Sequence, residues 1–230
     1  MHKIFIVILL TLPCILQTNT TYAQKAKNII NENIETMVQI ETTKGKMIVK
    51  LYNETPLHRD NFVKLVKEKY YDSLLFHRVI ANFMIQGGDP DSKNAPQGQT
   101  LGNGGPNYTI PSEFKSTLIH KKGVLSAART ADHLNPKKES SGSQFYIVQG
   151  KIFDDKQLEY ICSKIGIVYT YEQKEIYKTI GGTPHLDGAY TVFGEVIEGL
   201  DVIDKIAAVA TDQADRPIED VIIISMTILP

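Results

Sequence analysis

Beyond residue 37 the apolar residues of this chain come in short runs, each cut off by glycine, proline, asparagine or a charge. Val38–Thr42 and Lys46–Tyr52 flank Lys44-Gly45 and predict a β-hairpin. Leu74–Val79, Phe83–Gln86, Gly123–Ala128, Ser143–Val148, Thr191–Val196 and Val221–Ile224 predict further short strands. A strand a few residues long buries too little surface alone, and a sheet of such strands exposes its edges. Two segments instead follow the helical period. Thr55-Pro56 supplies an N-cap and a first-turn proline for a helix over roughly 56–69, with Phe62, Leu65 and Val66 on one face. Asp201–Val209 carries Val202, Ile203, Ile206 and Val209 in the same manner. Many short strands with two helices predict a mainly β, closed barrel plugged by helices. Residues 87–113, rich in Gly, Pro and Asn, read as a long surface loop. Residues 154–183 read as a helical insertion: Asp154 or Asp155 caps a helix carrying Leu158, Ile161, Cys162 and Ile165, and a second short helix holds Tyr169, Tyr171, Ile176 and Tyr177 before Gly181-Gly182, with Leu158, Ile161, Ile165, Tyr171 and Tyr177 expected to pack back on the barrel.

The first residues follow other rules. Lys3 precedes an apolar run from Ile4 to Leu16, and Thr21-Tyr22-Ala23 places small residues at −3 and −1. This is the pattern of a secretory signal peptide over 1–23, too short in its apolar part for a membrane span of about 20 residues. Residues 24–36 are polar and read as a flexible lead-in to a domain over 37–230. The expected product is exported, periplasmic or extracellular, and not inserted in the membrane after cleavage. Cleavage leaves Cys162 as the one thiol, so packing rather than a disulfide must hold the domain.

Composition removes other classes. The chain is 42% apolar and 22% charged, which excludes disorder, and its 25 Lys and Arg balance 26 Asp and Glu, which argues against binding nucleic acid by bulk charge. Gly102-Asn103-Gly104-Gly105 lacks the strand–turn–helix setting and the following Lys-Ser/Thr of a phosphate loop. There is no Gly-x-Ser-x-Gly, and the histidines at 58, 77, 120, 133 and 185 are scattered without a metal-binding pair.

What remains is Phe76-His77-Arg78-Val79-Ile80-Ala81-Asn82-Phe83-Met84-Ile85-Gln86-Gly87-Gly88-Asp89. A lone arginine among strand-forming apolar residues must be paired or face a cleft. Downstream lie Gly123-Val124-Leu125-Ser126-Ala127-Ala128-Arg129, Ser141-Gly142-Ser143-Gln144-Phe145-Tyr146-Ile147 and Leu186-Asp187-Gly188-Ala189-Tyr190-Thr191-Val192-Phe193-Gly194-Glu195-Val196. In these four motifs, and in their order from Val38 to Ile224, the chain resembles the cyclophilin family of peptidyl-prolyl isomerases. Gly102–Phe114 and Ala127-Ala128-Arg129 resemble its bacterial branch.

The resemblance implies an eight-stranded antiparallel closed β-barrel capped by two α-helices, with the peptide groove on its outer surface. It implies catalytic roles for Arg78 and Gln86. Phe83, Met84, Tyr146 and Leu186 would form the proline pocket, with Tyr190 on its wall. Ala128, Arg129 and Gln144 would hold the peptide backbone. It further implies that no cofactor or metal is needed, that the partners are proline-containing segments of exported proteins, and that the protein is a monomer. Three positions depart from many eukaryotic members: Tyr190 stands for His, Tyr146 for Phe, and His185 for Trp. The insertion at 154–183 exceeds the compact form of the family, and reads as either a wall extending the groove or a stabilising surface decoration. The second reading of function is a peptide-binding module or chaperone with little turnover.

Overall fold

A computed structural model describes residues 35–230 of the chain. The signal peptide and nearly all of the lead-in expected from the sequence therefore lie outside the described residues. The elements run β1 (Met37–Thr42), β2 (Gly45–Leu51), α1 (Pro56–Lys67), β3 (Arg78–Ile80), β4 (Met84–Gly87), β5 (Thr109–Ile110), β6 (Val124–Ala127), β7 (Ser140–Ser141), β8 (Phe145–Val148), α2 (Asp155–Ile165), α3 (Tyr171–Thr179), β9 (Val192–Glu198), α4 (Leu200–Ala207) and β10 (Ile223–Ile228). Eight strands form one antiparallel sheet in the order β10-β1-β2-β9-β6-β8-β4-β3. The small ladder β5–β7, not expected from the sequence, ties the long loop to the segment before β8.

The closed barrel holds only approximately. The outermost strands β3 and β10 share no ladder. The ring is completed by irregular backbone, with one bridge between Leu75 and Ile222. Phe76 N donates to Val221 O at 2.9 Å, and Ile223 N to Leu74 O at 2.8 Å. The expected strand Leu74–Val79 is accordingly reduced to that bridge and to β3.

Alternation along each strand decides what lies inside. Val38, Ile40, Met47, Val49, Leu51, Val79, Ile85, Leu125, Phe145, Ile147, Phe193 and Ile223 form one buried cluster, joined by Phe62, Leu65 and Val66 of α1 and Val202, Ile203 and Ile206 of α4. Both expected plugs are present, each with its apolar face inward. The start of α1 differs from expectation. Thr55 makes no capping bond. Glu113, from the far end of the long loop, accepts from Leu57 N at 3.1 Å and His58 N at 3.0 Å. A carboxylate at this end also favours the helix dipole.

The insertion folds as two helices around its own small core of Phe153, Leu158, Tyr169, Tyr177 and Ile119. Asp154, rather than Asp155, caps α2, in a capping box with Gln157, and Gly166 ends the helix at φ 72°. Tyr169 lies just before α3 rather than on it, and Tyr171, counted among the residues that would pack back on the barrel, is 74% exposed because it opens α3 on its outer side. Among the described residues no helix is long and apolar enough to cross a membrane.

Candidate active site

The strand residues that point out of the barrel build the site. In register, Arg78 of β3 pairs with Gln86 of β4, Gln86 with Tyr146 of β8, and Tyr146 with Ser126 of β6. Cross-strand partners share a face, so one row carries Arg78, Gln86 and Tyr146 side by side. Two residues along, Met84 lies opposite Val148. Met84, Tyr146 and Val148 join Val124, Ala128, Leu186, Val192 and Tyr52 in a second apolar cluster, with Phe83 and Tyr190 packed against it. β6 and β8 are therefore buried on both faces.

This outer layer leaves a cleft of about 110 Å³ lined by Arg78, Phe83, Met84, Gln86, Ala128, Arg129, Tyr146, Leu186 and Tyr190. Gln144 lines the adjoining groove, of about 630 Å³, which shares Gln86, Ala128 and Arg129 with the cleft and runs past Gly102–Gly105 and Ser141. All ten residues singled out in the sequence thus meet in two connected hollows, though they come from four separate stretches of chain.

The polar side of the cleft is a chain of side-chain amides. Arg78 Nη1 lies 3.5 Å from Gln86 Oε1, Gln86 Nε2 donates to Gln144 Oε1 at 3.0 Å, and Gln144 Nε2 donates to the carbonyls of Gly102 at 2.9 Å and Gly104 at 2.8 Å. Two carbonyl acceptors at its far end fix the orientation of Gln144, which fixes that of Gln86, whose oxygen then faces the guanidinium. The glycine stretch supplies these carbonyls because it wraps round buried Asp89, which accepts from Gly102 N. A Cβ at Gly104 would meet the Asp89 carboxylate at 2.2 Å.

The Arg78 side chain keeps 41% of its surface open, and its Nε lies 3.5 Å from Asp215 Oδ2. Asp215 sits in a tight turn at φ 63°, and its carbonyl accepts from Val79 N at 2.8 Å. The next residue, Arg216, is buried and donates to the carbonyls of Ala95 at 2.9 Å and Pro96 at 2.8 Å, which anchors the turn. The arginine is thus held from one side while its Nη1 points to the cleft.

The apolar walls are braced as well. Phe83 stacks on His185 with centroids 5.6 Å apart. Tyr190 meets Tyr146 edge-on at 5.9 Å, and the Arg129 guanidinium lies 4.4 Å over the Tyr190 ring. Arg129 Nε donates to Ala189 O at 2.8 Å and Nη1 pairs with Asp132 at 2.6 Å, so this side chain serves the wall. Tyr146 turns its hydroxyl away from the barrel to His120 Nε2 at 3.0 Å, and burial pushes that phenol well up. Asp215, Arg216, His120 and Asp187 were missed as site residues. Asp215 and His120 reach the site from distant parts of the chain, and Arg216 acts by anchoring the Asp215 turn; Asp187 adjoins Leu186, but its role rests on distant partners that no local pattern marks.

Comparison with known proteins settles the family. The profile of the cyclophilin type peptidyl-prolyl cis-trans isomerases matches residues 37–228. The chain belongs to the cyclophilin family. It is 35% identical over 213 residues to a protein of Staphylococcus epidermidis named as a candidate peptidyl-prolyl cis-trans isomerase, covering 91% of this chain and 98% of that one. A Staphylococcus aureus protein of the same name is 36% identical over 211 residues, with 90% and 98% covered. A candidate bifunctional phosphatase/peptidyl-prolyl cis-trans isomerase of Streptococcus pyogenes is 39% identical over 191 residues, which span 81% of this chain but 37% of that protein. Among solved structures, a Cryptosporidium parvum cyclophilin type peptidyl-prolyl cis-trans isomerase superposes with a TM-score of 0.62 at 25% identity, over 86% of this chain and 99% of its own. The same enzyme solved in the presence of the dipeptide Ala-Pro gives 0.61. The cyclophilin fold explains the outward row: the barrel interior is filled, so the site is built on the outside of the sheet. Among the described residues no group of three or more His, Cys, Asp or Glu is placed to hold a metal ion.

Proposed function

We propose that this cyclophilin-type peptidyl-prolyl cis-trans isomerase acts on X–Pro bonds of exported proteins, seating the proline ring against Phe83, Met84, Tyr146 and Leu186 and using Arg78 as its electrostatic group. The observation that carries the reading is the position of a held guanidinium at the rim of a small apolar cleft. At about 110 Å³ the cleft is well below the roughly 300–1,000 Å³ of sites for drug-sized ligands, and suits one small ring.

The reaction needs no nucleophile. Rotation about X–Pro is slow, taking tens to hundreds of seconds, because amide resonance sets a barrier of about 18–20 kcal/mol. Twisting the bond returns the lone pair to the prolyl nitrogen. A guanidinium N–H aimed at that nitrogen binds the twisted amide better than the planar one, and so lowers the barrier. Gln86, locked by Gln144, presents a polar edge beside Arg78, where the carbonyl that swings with the bond has to travel. The Gly102–Gly105 and Ala128–Arg129 stretches line the adjoining groove, which has room for residues flanking the proline. A module that only bound peptide would have no use for a guanidinium held at the rim of the ring pocket.

A protease-coupled assay on a proline tetrapeptide tests the activity. Acceleration by the wild type and its loss in a folded Arg78→Ala variant are expected, whereas full activity in that variant would remove Arg78 from the mechanism. Export rests on Lys3, the apolar run and Thr21-x-Ala23. N-terminal sequencing of protein from the native host should find a start near Gln24. A start at Met1 would overturn it.

A further inference from the structure

Asp187 follows Leu186, a wall of the cleft, and its carboxylate collects four donors. Oδ1 accepts from His120 N at 2.8 Å and from His120 Nδ1 at 2.7 Å. Oδ2 accepts from Tyr169 Oη and Tyr177 Oη, both at 2.6 Å. An ionised carboxylate has about four lone-pair positions, so Asp187 is filled. With Nδ1–H given to the carboxylate, His120 Nε2 is left to accept from the Tyr146 hydroxyl, and the two rings lie stacked 13° from parallel. His120 and Tyr177 are fully buried, and Asp187 nearly so. Burial, and then the charge of Asp187, pushes the phenols of Tyr169 and Tyr177 up, so both stay protonated donors. A continuous hydrogen-bonded path therefore leads from the insertion, through Asp187 and His120, to Tyr146. It grips the cleft at two walls: Tyr146 through its hydroxyl and Leu186 through the adjoining residue.

We propose that Asp187 and His120 are positioning residues for the proline pocket, and that the α2–α3 insertion acts on substrate binding through them, from behind the pocket. This rests on the assignment of the cleft as the proline site. Neither a groove extension nor a surface decoration describes such a role. The buried hydroxyls of Tyr169 and Tyr177 point into the domain. A buried carboxylate shared between an insertion and a binding site loses its satisfaction if either side is altered, which couples the two.

The test is a cycle of Tyr177→Phe, Tyr146→Phe and the double variant. Affinity for a proline tetrapeptide is followed by NMR titration, turnover by the coupled assay, and melting temperature alongside. Tyr177→Phe, outside the cleft, should weaken peptide affinity about three- to tenfold with kcat nearly unchanged, since Arg78 is not touched. Once Tyr146 has lost its hydroxyl, the same change should add little. Tyr171→Phe, exposed on the same helix, should alter nothing. A lower melting temperature with unchanged affinity, or equal effects of Tyr177→Phe in both backgrounds, would overturn the proposal. Should Tyr177→Phe not fold, Tyr169→Phe takes its place in the same cycle. A wild type that binds peptide without turning it over would refute the isomerase mechanism while the affinity cycle still decides this one. A wild type that does neither would refute both.

Discussion

Phe145 and Tyr146 are adjacent on β8, yet they belong to opposite halves of the molecule. Phe145 points into the barrel, edge-on to Phe62, Tyr71 and Phe76 at 5.5–6.1 Å. Tyr146 points out, to Tyr190, His120 and the cleft. The inner cluster consists of hydrocarbon and aromatic rings and serves to hold the sheet together. The outer one is apolar at its floor, but is rimmed by Arg78, Gln86 and Gln144 and braced by hydrogen bonds from loops and the insertion. A filled barrel leaves chemistry only on its outside, and strand alternation supplies both surfaces from one stretch of sequence.

The largest effect expected from this division is on the inside. Phe145→Ala should cost about 3–5 kcal/mol of stability, read from urea unfolding. Activity per folded molecule should fall far less, and a variant that stayed stable while losing turnover would break the division between the two faces.

Arg78→Ala should show the reverse pattern. We expect kcat/KM to drop by about 2–4 kcal/mol in the coupled assay, the scale of one preorganised donor, with stability almost unchanged because the side chain is 41% open. Arg78→Lys should rescue little, since an ammonium lacks the planar fork. A large loss of stability on removing Arg78 would assign it to the frame instead.

His77 separates the two faces by pH. It precedes Arg78 but is 4% exposed, and burial lowers it to about 4, with Asp89 opposing in part. Above its ordinary value of 6.5 the ring is neutral whether the chain is folded or not. As pH falls from there toward 4, the unfolded chain gains a proton that the folded protein refuses. Stability should therefore fall over that window by up to about 3 kcal/mol and level off below it. Urea unfolding of wild type and His77→Leu at pH 7 and pH 5 checks this, since the variant should lose less. Equal losses would place the pH dependence elsewhere.

The smallest effect belongs to Asp215. Its ion pair with Arg78 is long and exposed, with 42% of the aspartate side chain open. Asp215→Asn should lower kcat/KM by about 0.5–1 kcal/mol and leave stability alone. The salt dependence of the wild-type rate should shrink in the variant, and an unchanged one would show that the turn, not the charge, places the arginine.

The two plugging helices, the alternation of the strands and the helical insertion with an aspartate cap were legible in the amino-acid sequence, as were, through the cyclophilin resemblance, the ten residues around the cleft; the choice of Asp154 over Asp155 was not. These follow from local period and turn chemistry, or from short motifs whose residues sit within a few positions of one another. Tertiary structure decided what depends on distant pairings. Thr55 looked like the cap of α1, but Glu113 does that work from 55 residues away, because a carboxylate can take two orphan N–H groups at once. The barrel closes through Leu75 and Ile222 rather than through a strand pair, a matter of register that no apolar run encodes. Asp187 meets His120 across 67 residues and Tyr169 across 18, so the link from the insertion to the pocket exists only once the sheet has folded. Periodicity tells which way a side chain points, whereas its hydrogen-bond partner is set by where the rest of the chain comes to lie.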